Sequence, residues 1–233
     1  MMQLLIGTSG FSYPAWRGGF YPEKLPETKM LGYYAGHFRA VEINNSFYRM
    51  PTAEVLGRWA AETPPEFRFA LKSPRRITHD KRLVDTTSAV ERLAEASRAL
   101  GDKLGPILFQ LPPNMKKDLA RLDEFLAGLP AGLPATVEFR HESWFSDEVY
   151  ACLRARRAAL CVAESEDVTT PLEATADWGY LRLRREDYDD GMVASWGARI
   201  KAQSWSTAYV FFKHEDTGKG PVAAARLHEL MAA

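Results

Sequence analysis

The sequence predicts an α/β protein built as a single (β/α)8 TIM-like barrel over residues 1–233, with one helix missing or irregular. Three observations predict it. Eight short apolar, β-prone runs recur along the whole chain, and most intervals between them carry helical periodicity with recognisable ends. The length of 233 residues suits one such barrel and is too short for two average domains joined by a linker.

The first run covers residues 4–7. The stretch 8–26 that follows is rich in Gly, Pro and aromatics and reads as a long loop over one barrel mouth. After the second run, 40–44, Thr52 caps a helix that reaches about Glu62 and is stopped by Thr63-Pro64-Pro65. The third run is 67–72. Beyond it, Ser88-Ala89-Val90-Glu91 has the form of a capping box, and Leu93, Ala96 and Leu100 continue an apolar helical face. Runs four and five are 107–111 and 136–140, and Ser146 with Asp147 and Glu148 then marks a helix start by cap and dipole. The sixth run is 160–164, and the interval 165–178 after it is irregular, the place of the missing helix. Runs seven and eight are 179–184 and 208–213, with Pro221 suited to the first turn of a last helix. Strand alternating with helix means a parallel sheet; an open doubly wound sheet would need edge strands that cannot be identified here.

Composition narrows the class of function. With 46% hydrophobic and 26% charged residues the chain can bury a sizeable core, so disorder is not expected. Lys plus Arg equals Asp plus Glu at 30 each, which gives no global field for coating nucleic acid or an anionic membrane, although a local basic patch stays open. Cys152 and Cys161 form no CxxC pair and no disulfide framework, which suits a reducing cytoplasm. Met1-Met2-Gln3 runs into Leu4-Leu5-Ile6 without the basic region and long apolar core of a signal peptide, and no window approaches the ~20 apolar residues of a membrane span. The expectation is a soluble cytoplasmic protein with no membrane partner.

Side chains alternate between the faces of a strand, so residues two apart point the same way. Glu42 and Asn44 therefore oppose Val41 and Ile43, Lys72 opposes Leu71, Glu138 and Arg140 oppose Val137 and Phe139, and Arg182 and Arg184 oppose Leu181 and Leu183. Helices cover the apolar parity, which places the polar parity inside the barrel, late in each strand, where barrel active sites lie. The residues leave two readings open: a catalytic mouth, or a buried ion-pair network that holds the barrel in register.

Gly7-Thr8-Ser9-Gly10-Phe11 with Tyr13, Trp16 and Tyr21-Pro22, Val41-Glu42-Ile43-Asn44 with Phe47-Tyr48, Lys72, Thr78-His79, Phe109-Gln110-Leu111-Pro112-Pro113, and Val137-Glu138-Phe139-Arg140-His141 with Trp144-Phe145 stand in order along essentially the whole chain. In these motifs the sequence resembles the YecE-like family, a family of unknown function. The resemblance implies a TIM-barrel-like fold and supplies no activity. The family's last strand ends in Asn- or Asp-containing pairs where this chain has Lys213-His214, so no role of those amides carries over.

Glu42 and Glu138 are the candidates for proton transfer, because two carboxylates in unlike surroundings can differ in protonation; a cation beside one would leave the more isolated one as the acid. His141 and His79 lie in predicted strand-end loops where imidazoles can move protons. Lys72, Arg140 and Arg182 would neutralise negative charge while Asn44 and Gln110 orient a substrate. Tyr13, Trp16 and Tyr48 are read as pocket wall, and Phe20 and Phe47 as packing. The basic run Lys72–Arg82, Arg184-Arg185 after the seventh run and Gly218-Lys219-Gly220-Pro221 opening the last helix are further places for an anion. A Glu42, Glu138 and His141 metal site can be drawn, but no HExxH or Cys/His spacing supports it and no metal is assigned. No motif implies a cofactor: Walker and GxGxxG patterns are absent, and Phe11 stands where a nucleophile elbow needs glycine. The leading expectation is an enzyme acting on a small anionic molecule, a phosphorylated sugar or nucleotide-like metabolite. The alternatives are binding of nucleic acid or a damaged nucleotide, which the net charge does not support, and a non-catalytic scaffold.

Overall fold

The structure, a computed structural model, describes residues 2–165, 169–213 and 218–232. Strands β1 (Gln3–Ser9), β2 (Ala40–Ile43), β3 (Arg68–Lys72), β4 (Leu104–Gln110), β5 (Ala135–Glu138), β6 (Ala159–Glu164), β7 (Trp178–Leu183) and β8 (Thr207–Phe212) close into a barrel in chain order. All pairings are parallel, and β1 bonds to both β2 and β8, so no edge is left exposed. Each expected run is a strand, with ends displaced by at most three residues. Helices α1 (Met30–Ala35), α2 (Ala53–Ala61), α3 (Thr87–Ser97), α4 (Leu119–Ala127), α5 (Asp147–Ala155), α6 (Asp190–Lys201) and α7 (Lys219–Ala232) wrap the outside.

The helices form where one stripe can be buried. Val90, Leu93, Ala94 and Ser97 of α3, Leu122, Phe125 and Leu126 of α4, and Val193, Trp196, Gly197 and Ile200 of α6 recur at three- and four-residue spacing and are buried. Between β6 and β7 no helix occurs among the described residues. There the Thr175 hydroxyl accepts from Leu160 N at 2.7 Å and donates to Ala158 O at 2.8 Å, tying the irregular segment to the start of β6.

Strand parity divides the interior in two. Leu5, Ala40, Ala70, Leu108, Cys161, Tyr180 and Phe211 form a small cluster inside the barrel. Val41, Ile43, Phe69, Leu71, Phe109, Val137, Val162, Leu181 and Phe212, of the other parity, belong to the larger core beneath the helices. Gly7 marks the tightest approach: a Cβ there would lie 1.8 Å from Ala40 O, and the Tyr34 hydroxyl already bridges Thr8 N (2.8 Å) and Ala40 O (3.0 Å).

Local signals differ in outcome. Thr52 caps α2 by accepting from Val55 N at 3.3 Å. The Ser88 capping box does not form. The chain is already helical at Thr86, which is the N-cap, so Ser88 sits within the first turn, where its hydroxyl cannot serve the free amides. Ser146 does occupy the cap position of α5, with Asp147 and Glu148 in the first turn, but its side chain makes no cap bond. Unexpected caps occur at Asp118 and Asp189, which accept from Arg121 N (3.1 Å) and Met192 N (2.8 Å). No helix among the described residues is long and apolar enough to cross a membrane.

Candidate functional site

At the carboxyl ends of the strands a charged cluster is assembled from β1, β2, β3, β5 and β7 and the residues just after them. Arg182, 2% exposed, is its centre. One side of its guanidinium meets Glu42: Nη2 donates to Oε1 at 2.9 Å, and Nε lies between the two carboxylate oxygens, 3.1 Å from Oε1 and 2.9 Å from Oε2. The other side, Nη1, donates to Glu138 Oε2 at 2.6 Å. Both carboxylates are fully buried. Glu42 also accepts from Ser9 Oγ (2.7 Å) and Asn44 Nδ2 (3.2 Å) on Oε1, and from the Tyr180 hydroxyl (2.6 Å) on Oε2. The second oxygen of Glu138 is ion-paired with Arg140 Nε. Arg182 Nη2 reaches Asn44 Oδ1 at 3.3 Å as well, so Asn44 braces both members of the Glu42 pair.

These contacts decide protonation. Burial alone would raise the Glu42 carboxyl, but the Arg182 charge and the hydrogen bonds from Arg182, Tyr180 and Ser9 hold it below its ordinary value. For Glu138 burial is likewise outweighed by Arg182, then Arg140 and Arg184, and its pKa falls to about 2. The expectation of one isolated carboxylic acid is therefore corrected: Arg182 forks between the two, and both are ionised near neutral pH. Burial and the Glu138 charge push the Cys161 thiol far up, as suits a packing residue.

Lys72 behaves differently. It ends β3 with Nζ 4.3 Å from the centroid of the Phe47 ring, and it has no carboxylate or hydrogen-bond acceptor among the described residues. Burial, followed by the Arg182 charge, lowers its pKa to about 8 against the pull of Glu138 and Glu42. Arg184 continues the inward parity just beyond β7; its Nε is buried without a hydrogen-bond partner, and burial with Arg182 and Arg140 lowers its pKa. Among the described residues the cluster thus holds two carboxylates, Glu42 and Glu138, against four cations, Lys72, Arg140, Arg182 and Arg184, a surplus of two positive charges.

The other expected residues lie at varying distances from this centre. Gln110 closes β4 in register with Glu138. His79 stands in a π-helical turn, its Nδ1 2.9 Å from Thr78 Oγ1 and its ring edge-on to Phe47; burial, then Lys72 and Arg75, lowers its pKa. His141 is not brought to the carboxylates: its Nδ1 accepts from Ser143 N at 3.2 Å, capping a short 3-10 turn. No three His, Cys, Asp or Glu side chains group as metal ligands among the described residues. Trp16, read as pocket wall, is 1% exposed and packs among Tyr13, Phe20 and Tyr21, so it supports the loop instead. Tyr48 is 80% exposed. Tyr13 donates to Ser9 O at 2.9 Å and lines a cavity of about 600 Å³ beside the mouth, with Phe11, Asn44, Arg58 and Trp59.

The basic run after β3 spends part of its charge locally, Arg75 on Asp80 (3.0 Å) and Arg82 on Asn114 (3.1 Å). At the start of α7, Lys219 pairs with Asp187 at 2.5 Å, and Glu186 and Lys213 line the same hollow, so the Lys219 charge is already met by a carboxylate. His214 lies outside the described residues.

Arg184, expected after the seventh run as a place for an anion, joins the cluster, and Ser9 and Tyr180 complete it without having been among the expected site residues. Their signal was present: Tyr180 shares the parity of Arg182, and Ser9 is aligned with Glu42 across the β1–β2 pair.

An eight-stranded parallel barrel carrying a buried charged cluster at the carboxyl ends of its strands defines a TIM-like barrel with a polar mouth. Within that class the chain belongs to the family described as "Protein of unknown function DUF72", which it matches over residues 5–233. It is 33% identical over 144 residues to the UPF0759 protein YecE of Escherichia coli (strain K12), which covers 61% of this chain and 50% of that one. To the UPF0759 protein YunF of Bacillus subtilis (strain 168) it is 31% identical over 155 residues, 63% of this chain and 54% of that one. The chain spans about half the length of the curated relatives it matches. The crystal structure of a DUF72 family protein from Thermotoga maritima superposes with a TM-score of 0.86 at 26% identity, covering 99% of this chain and 100% of that one.

Proposed function

We propose that the barrel mouth binds a small anionic molecule, a phosphorylated sugar or nucleotide-like metabolite, and acts on it as an enzyme. The observation that carries the reading is the surplus of cations. Arg182 is consumed by Glu42 and Glu138, Arg140 leans on one oxygen of Glu138, and Lys72 and Arg184 have no anion of their own among the described residues. Partly buried cations without counter-charges are costly unless a ligand supplies the charge. A phosphoryl group, with several acceptor oxygens, fits a set of Arg and Lys donors arranged around one opening.

In this reading Glu42 and Glu138 position Arg182 rather than transfer protons, and Lys72, able to lose its proton near pH 8, is the acid–base group. Asn44 joins the cluster to the 600 Å³ cavity lined by Tyr13 and Trp59, which would take the uncharged remainder of the ligand. A cytoplasmic location belongs to the same proposal, supported by two free thiols, Cys152 and Cys161.

Calorimetric titration with phosphorylated and unphosphorylated sugars tests it. The phosphorylated forms are expected to bind, and Arg184→Met to weaken them about tenfold with little change in stability, because the buried Nε of Arg184 has no hydrogen-bond partner to lose among the described residues. Equal affinity for both forms, or unchanged binding in Arg184→Met, overturns the assignment.

A further inference from the structure

We infer that Lys72 is a nucleophile that forms an imine with the carbonyl of a phosphorylated aldehyde or ketone, an inference that rests on the anion-binding reading of the mouth. A lysine serving only to balance charge would be expected on Glu42 or Glu138. Instead the oxygens of Glu42 are occupied by Ser9, Asn44, Tyr180 and Arg182, and those of Glu138 by Arg182 and Arg140. Nζ of Lys72 is left over the face of Phe47 at 4.3 Å, at the carboxyl end of β3, with the Arg182 and Arg140 charges nearby. Burial and the neighbouring Arg182 and Arg140 charges favour the neutral amine, whose lone pair can attack a carbonyl, against the smaller pull of the Phe47 face toward the cation. The lowered pKa, about 8, agrees with that geometry.

The step balances without a redox partner. The Nζ lone pair adds to the carbonyl carbon while the C=O π pair moves to oxygen, and transfer of a proton from nitrogen to that oxygen gives a carbinolamine. A further proton on the hydroxyl lets it leave as water, and the nitrogen lone pair closes the C=N bond. The net change is neutral amine, carbonyl and one proton going to a protonated imine and one water. The iminium draws electron density from the adjacent carbon, which suits aldol-type cleavage or condensation and enolisation. Arg140 and Arg184 hold the phosphate while this occurs.

The experiment treats the purified full chain with glyceraldehyde 3-phosphate and cyanoborohydride and reads each lysine by peptide mass spectrometry, with phosphate binding measured on the same sample. Lys72 is expected to carry the reduced adduct about tenfold faster than the exposed Lys24 and Lys116. Unphosphorylated glyceraldehyde is expected to show no such preference. Lys72→Arg keeps the charge and lacks the nucleophile, so it should yield no adduct at that position. Labelling of Lys72 no faster than Lys24 in a protein that binds phosphate overturns the imine and leaves the anion site standing. Failure of phosphate to bind the wild type overturns both.

Discussion

Replacing Lys72 by methionine removes a charge that folding carries into a place where burial and Arg182 both oppose it. The unfolded lysine holds its proton to about pH 10.5 and the folded one to about 8. Between those values the unfolded state binds more protons, so stability rises with pH across that window; below pH 8 the charged lysine destabilises the fold in full. The difference between 10.5 and about 8 corresponds to an upper bound of about 3 kcal/mol. Residual solvent contact reduces it, and losing the Lys72–Phe47 cation–π contact offsets about 0.5–1 kcal/mol more. Methionine, close in shape and able to lie on the ring, is therefore expected to stabilise the protein by about 2 kcal/mol at pH 7, or about 5 °C in Tm. Urea unfolding of both proteins at pH 7, 9 and 10.5 measures this, and the advantage should shrink toward zero at the highest pH. A methionine variant less stable than wild type at pH 7, or an advantage constant with pH, refutes the reasoning.

Glu138→Gln leaves Arg182 and Arg140 short of a buried counter-charge and should cost about 3 kcal/mol or more in urea unfolding. Because the folded pKa of Glu138 is about 2 against an ordinary 4.5, its contribution is full above pH 4.5 and lost as pH falls toward 2; the glutamine variant should lose less stability over that interval. Arg182→Lys cannot fork between two carboxylates, so a large drop in melting temperature is expected, and a wild-type melting curve would show that the bridging geometry is dispensable. Gly7→Ala sets a methyl 1.8 Å from Ala40 O, against backbone that cannot yield cheaply, and should destabilise by about 3 kcal/mol or more by the same assay.

How much of this could be seen in the chain follows from what each feature depends on. Strand number and the inward set were legible because both follow from local alternation: Glu42, Lys72, Glu138 and Arg182 all face inside as their parity requires. The partnering was not legible, because Arg182 meets Glu42 and Glu138 only through closure of the barrel, 140 and 44 residues away in the chain. That closure turned two candidate acids into paired carboxylates and left Lys72 and Arg184 without a carboxylate partner among the described residues. The aromatic residues near Trp16 were ambiguous for a similar reason, since a Gly-rich loop can turn a ring either to solvent or inward, and only its packing on Phe20 and Tyr21 decides. Ser88 misled because a capping box is a four-residue local pattern, whereas the helix starts two residues earlier, with Thr86 at the N-cap.

The most direct test of the central claim, that the mouth's surplus charge awaits an anion, is proton uptake on binding. Calorimetric titration with inorganic phosphate at pH 8.5 in two buffers of different ionisation enthalpy reads the protons taken up. An anion settling beside Lys72 raises its pKa, so the wild type should take up about half a proton or more per site, and Lys72→Met none. Binding with the same proton count in both proteins would contradict the account.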